Sequence, residues 1–307
     1  MMNVSCLFRC PDGSSYTLTR CLNFTLLRER YQAFSTLYAQ FLTDDFPETP
    51  AEAAFSLNGQ LLFDGIIEHS DCIHAGGKFI LKCSSRSFTA ALIRNQLVPG
   101  LHYAVTLQSL METYALPKIT YDTSMPEINY IYVRDNAAMW DSIMAYNFKL
   151  NGGFPYIRVP NLLCMTPQTG QEPILLPGHA LLSDIRSGDC SEMLSRIDMA
   201  NAAGEYGSFT RSNPEAASRN IVRVKQILLD KQYVYRPDDA LIWRIALSNR
   251  RLSSRTVTYS GYCGEDIEDL VQCGDLSARV SRIRITGSKN GIRTEDSFYF
   301  DPFCNPL

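Results

Sequence analysis

His69, Cys72 and His74 place three metal-capable side chains in one short run, and Cys6 or Cys10 could add a ligand from across a sheet. Zinc sites usually bring two close-spaced ligand pairs. The ten cysteines, at positions 6, 10, 21, 72, 83, 164, 190, 263, 273 and 304, include no CxxC pair. They read as free thiols serving as small apolar side chains, and no metal is expected. Glu68 with His69, or Asp71 with His74, could be written as an acid/base pair, yet a lone histidine beside a carboxylate on a strand is more often an ordinary surface group. Asp44-Asp45 and Asp238-Asp239 suit turns and helix caps better than glycoside chemistry, which needs carboxyl groups facing across a cleft. There is no Walker sequence, GxGxxG, HExxH or GxSxG. The sequence offers no catalytic residue and requires no cofactor.

Arg244, Arg250, Arg251 and Arg255 form the densest basic cluster. It reads either as an interface or phosphate patch, or as a solvated helix end where cations favour the negative pole of the macrodipole. Trp140 and Trp243 are expected to anchor their helices in the core.

The elements that must position these residues follow from turn chemistry and periodicity. Residues 1–98 read as a β domain. Asn58-Gly59, between Ala54–Leu57 and Gln60–Phe63, is the strongest hairpin signal, because both residues readily take the positive φ of a type I′ turn. A second hairpin joins Asp64–His69 to Lys78–Cys83 through Gly76-Gly77, and Gly65 is expected where a Cβ is poorly tolerated. Arg30–Leu42 is assigned to strand, and Phe88–Leu97 to a short helix.

Residues 99–180 read as a small α/β insertion. One helix is capped by Thr106 and runs to Tyr114; a second opens near Asp135-Asn136, carries Trp140 and stops at Gly152-Gly153. Residues 181–307 read as a second β domain with one helix, opening at Pro237 and ending near Leu252. Here Glu192–Met199 and Asn220–Lys225 alternate as strands, Gly204–Ser218 reads as a mobile loop, and Gly261 ends the strand from Thr256. The expected fold is therefore mainly β: two β-barrel domains flanking a small α/β domain.

The 307 residues suffice for two or three domains with a full core. A net charge of −3 creates no global basic field, so stable nucleic-acid binding is not expected. No apolar run reaches the roughly 20 residues that cross a bilayer, so no membrane anchor is expected. The N-terminus has neither a charged n-region nor an h-region, which points to synthesis in the cytoplasm.

The order of these segments resembles the late control protein D-like family, the hub proteins of contractile phage tails and related injection systems. Ser56–Ile67 is similar to a passage of the family's first barrel, and Lys82–Ser87 to its strand ending in Gly-Arg-Ser, with Ser85 where Gly is usual. Ala240–Tyr262 is similar to its helix, Arg-Ser bend and strand ending in Gly plus an aromatic. Gln272–Leu276, with Gly274, resembles its Gly-Asp turn before the last hairpin. The resemblance implies a non-enzymatic homotrimer whose paired barrels make a pseudo-sixfold ring, joining a hexameric tail tube protein to a trimeric spike protein. A baseplate wedge or tape-measure protein is a further partner, and assembly in a virion tail or injection particle is implied. The alternatives are a hub-associated peptidoglycan hydrolase and a tail-tip receptor- or carbohydrate-binding β protein.

Overall fold

A computed structural model describes residues 3–178 and 181–300; Cys304 lies outside them. Seven strands open the chain: β1 (Val4–Arg9), β2 (Ser15–Leu18), β3 (Cys21–Glu29), β4 (Thr36–Thr43), β5 (Glu52–Leu57), β6 (Gln60–Ala75) and β7 (Lys78–Ser87). Asn58 and Gly59 both have positive φ, 52° and 82°, and close the β5–β6 hairpin as their sequence requires. Along β1, alternate residues Val4, Cys6 and Phe8 turn into the core, the period of two that fixes a strand with one buried face.

These strands do not form a sheet by themselves. Strand Arg282–Ser288, near the other end of the chain, pairs antiparallel with β3, so that both ends of the chain share one sheet. Its eleven strands run Leu181–Ser187, Ser254–Ser260, Gly291–Tyr299, Arg282–Ser288, β3, β4, β7, β6, β5, β1, β2. One hydrophobic core lies beneath it, with Phe24 and Phe55 from the N-terminal strands beside Tyr259, Ile267 and Phe298 from the C-terminal part. The chain is mainly β, as the sequence predicts.

The insertion has its own core. Strands Gly100–Val105 and Ile128–Val133 pair, and helix Met139–Asn151 brings Trp140 and Ile143 against Ile131 and Val133. The Thr106 side chain accepts from Ser109 N at 3.0 Å, completing a capping box. The helix it opens, Leu107–Met111, ends before the predicted Tyr114. Gly152, at φ 68°, stops the longer helix where expected.

A third unit lies inside the C-terminal part. Strands Phe209–Ser212, Arg196–Met199 and Val224–Ile227 form a sheet in that order, and helix Pro237–Asn249 packs on it through Leu241. The polar stretch Gly204–Ser218 is thus not a plain loop. It holds an edge strand and the short helix Pro214–Ala217, capped by Asn213, because Phe209 and Ala216 find apolar partners that composition alone does not reveal. Two boundaries also move: Arg30–Ser35 turns before β4 begins, and Asn220, at φ 55°, delays the next strand to Val224.

Candidate functional site

The groups that resembled catalytic or metal-binding sites are engaged elsewhere. His69 meets Asp71 at 3.2 Å on an exposed strand, and the His74 ring stacks on Phe79 with centroids 4.7 Å apart. Glu68 is bound by Arg86 at 3.1 Å and by Arg94, not by a histidine. Among the described residues, Cys10, Asp12 and Glu48 are grouped closely enough to suggest ligands, but both carboxylates accept hydrogen bonds from Ser14. Burial pushes the thiols of Cys83 and Cys164 up to about 11, so they are protonated packing groups at neutral pH.

The arginines grouped in sequence each pair with a different carboxylate. Arg244 binds Asp230 at 2.5 Å and Arg250 binds Glu192 at 2.5 Å. Arg251 reaches back to Glu29 at the end of β3. Arg255 binds Asp184 on the sheet's edge strand at 2.6 Å and Asp275 at 2.8 Å. Trp140 is buried in the insertion core, while Trp243 is partly buried among Phe148, Phe154 and Tyr233.

Gly65 sits mid-strand, where a Cβ would lie 2.2 Å from the Arg86 carbonyl oxygen. Gly261, at φ 100°, follows strand Ser254–Ser260, and Gly274, at φ 59°, turns Leu270–Cys273 into Leu276–Arg279.

Sequence reasoning missed a buried ionic junction. Arg28 donates to Asp266 at 2.6 Å, Arg30 meets Glu268 at 2.7 Å, and Arg158 donates to Asp269 at 2.7 Å. All of these residues except half-buried Arg158 are buried, and together they tie β3, the insertion and the C-terminal part to one acidic turn. The available signal was the acidic run Glu265-Asp266-Ile267-Glu268-Asp269, set against Arg28 and Arg30 flanking Glu29.

What remains open is sheet edge. The large sheet ends at β2 on one side and at Leu181–Ser187 on the other. The second edge is exposed on both faces except at half-buried Ser183, with Leu182 58% and Ile185 52% exposed. An edge strand carries unpaired backbone donors and acceptors, and apolar side chains beside them favour pairing with another chain.

No protein-family model and no curated protein matches the sequence. Solved structures do match its fold. A tail protein from Neisseria meningitidis MC58 aligns over 99% of this chain and 98% of its own, with a TM-score of 0.74 and 13% identity. The 43 kDa tail protein of prophage MuSo2 from Shewanella oneidensis aligns over 99% and 100%, with a TM-score of 0.73 and 13% identity. An E. coli component of the type VI secretion system, itself similar to phage T4 tail proteins gp27 and gp5, covers 93% of this chain and 77% of its own at TM-score 0.56 and 9% identity. The chain has the fold of these phage-tail and secretion-system proteins. That is the structural class implied by the resemblance to the baseplate hub family. Among the described residues, no helix is long and apolar enough to cross a membrane.

Proposed function

We propose that this chain is a structural, non-enzymatic baseplate hub of a contractile tail or injection machine. Three copies form a pseudo-sixfold ring joining the hexameric tail tube to the trimeric spike, with a wedge or tape-measure protein as a further neighbour. Residues 1–98 and 181–307 act as the two ring-forming domains, and residues 99–180 as an insertion on the ring. Gly65, Gly261, Gly274, Trp140 and Trp243 hold the framework, and Arg255 stiffens the edge presented to the next copy. Assembly takes place in a virion tail or injection particle.

The observation that carries this reading is the open sheet whose edge strand Leu181–Ser187 is exposed on both faces with Leu182 and Ile185 on it, in a fold shared along its whole length with tail proteins. A heterologous contact repeated around an axis closes a ring without leaving edges. Such a contact is expected to bury more than about 1,000 Å² per pair. The test is imaging of the assembled particle end. Three copies in a closed ring on the tube axis are expected; six copies, or a position at the baseplate periphery, would reject the hub in favour of a wedge or receptor-binding role.

A further inference from the structure

The three-stranded sheet of the C-terminal unit has a free edge of a different kind. Strand Val224–Ile227 is one of its two outer strands. The carbonyls of Arg223 and Ile227 accept from Ser195 N and Ala200 N, each at 2.9 Å, and so face the inner strand. By the period of two, the N–H and C=O groups of Val224 and Gln226 face outward. The same alternation governs the side chains. Ile227 packs towards the core under helix Pro237–Asn249, whereas Val222, Val224 and Leu228 are 85%, 46% and 76% exposed. Natural edges are ordinarily blunted by charge, and Lys225 supplies one here, yet three solvent-facing apolar side chains stand on and beside the strand.

The charge on this strip is positive. Lys225 is exposed on the strand, and Arg223, just before it, is exposed while its guanidinium donates to the carbonyls of Cys190 and Ser191. The acids flanking it in sequence are held by arginines, Asp230 by Arg244 at 2.5 Å and Glu215 by Arg219 at 2.7 Å, and Asp198, opposite Gln226 on the inner strand, meets Arg196 at 3.0 Å. A second copy of this strand pairing antiparallel about its middle would set Lys225 against Lys225, and like charges on paired strands repel.

We propose that the outer edge of Val224–Ile227 docks an extended acidic segment of a partner protein, which adds as a fourth strand. Its alternate apolar side chains cover Val222, Val224 and Leu228, and its carboxylates face Lys225. This is recognition by strand addition, where main-chain hydrogen bonds supply affinity and alternate side chains supply selectivity. It does not depend on the hub reading.

The test uses the full chain and a labelled probe peptide, acetyl-Glu-Val-Asp-Val-Glu-Val-amide, with a lysine-for-acid counterpart. Fluorescence anisotropy should show saturable binding of the acidic peptide only, and hydrogen exchange should slow at Val224 and Gln226. Lys225→Glu should weaken binding about tenfold without changing the melting temperature. Val224→Pro removes only an outward N–H, a replacement that edge strands tolerate, and should abolish binding in a folded protein. Equal binding of the lysine peptide, or exchange protection elsewhere, would overturn the proposal. So would protection that appears with protein concentration alone, which would make the occupant a second copy.

Discussion

Two neighbourhoods built from the same acidic turn handle buried charge in opposite ways. Asp266, Glu268 and Asp269 each meet an arginine, from β3, from the turn just after it or from the insertion, at 2.6–2.7 Å. Glu265, one residue earlier, accepts instead from the Tyr259 hydroxyl at 2.6 Å and from Cys263 N at 3.1 Å, and its charged neighbourhood includes buried Asp296. Both Asp296 carboxylate oxygens are buried without a hydrogen-bond partner. Burial, with the charges of Glu265 and Glu295 added, pushes the Asp296 carboxyl well above the usual carboxylate range, and burial raises Glu265 as well. The first neighbourhood is a junction between segments; the second is a local penalty inside one of them. Burial alone therefore does not say whether a charge holds a fold together. The partner does.

The largest expected effect comes from breaking the junction. Arg30→Met leaves Glu268 buried without its cation, and removing one member of a buried pair typically costs about 3–5 kcal/mol. Replacing both, as Arg30→Met with Glu268→Leu, should recover most of that loss, because the cost lies in the uncompensated charge. Urea unfolding of the single and double variants checks this. A single variant as stable as the parent would remove the junction from the account of what joins the segments.

A smaller effect of opposite sign is expected in the second neighbourhood. With a folded pKa above the unfolded value of about 3.9, Asp296 binds its proton more tightly in the folded state. Its contribution to stability is therefore full at low pH and is lost as pH rises from the unfolded towards the folded pKa. Asp296→Asn keeps the shape and cannot ionise. It should raise stability at neutral pH by about 1–3 kcal/mol, the scale of an unsatisfied buried polar group, and the gain should shrink on acidification. Thermal melts from pH 4 to pH 8 measure it. A variant less stable than the parent at neutral pH would mean that the carboxylate is satisfied after all.

The contrast between these neighbourhoods also marks what the sequence could reveal. The Asn58-Gly59 hairpin, the Thr106 cap, the Gly152 stop and the Pro237 helix start were all legible, because each is decided by a few adjacent residues. The pairing of Arg28 with Asp266 spans 238 positions, and nothing local to either residue announces it. The same holds for β3 against Arg282–Ser288, which turns two terminal β regions into one sheet. At the candidate interface, Arg244, Arg250, Arg251 and Arg255 looked like one patch because they are close in sequence. The helix, the turn after it and the strand carry them to different partners. The exposed edge at Leu181–Ser187 was hidden for a related reason: alternation identifies a strand but not its place in the sheet order.

The smallest expected effect lies at that edge and completes the comparison with an exposed pair. Hydrogen bonding from Arg255, with its positive charge, holds the Asp184 carboxyl below the usual carboxylate range. This is the reverse of Asp296, so the sign reverses too: the stability from Asp184 is present above the unfolded pKa of about 3.9 and is lost as pH falls through the lowered folded value. Solvent screens the carboxylate, which limits Asp184→Asn to a loss below about 1 kcal/mol in the isolated chain. Raised salt should erase that loss while leaving the Arg30→Met deficit nearly intact, because buried pairs are screened much less. Thermal melts of both variants in low and high salt make the measurement. If Asp184→Asn kept a full-sized, salt-independent deficit, the edge strand would not be solvent-exposed, and the surface we propose for a neighbouring copy would have to lie elsewhere.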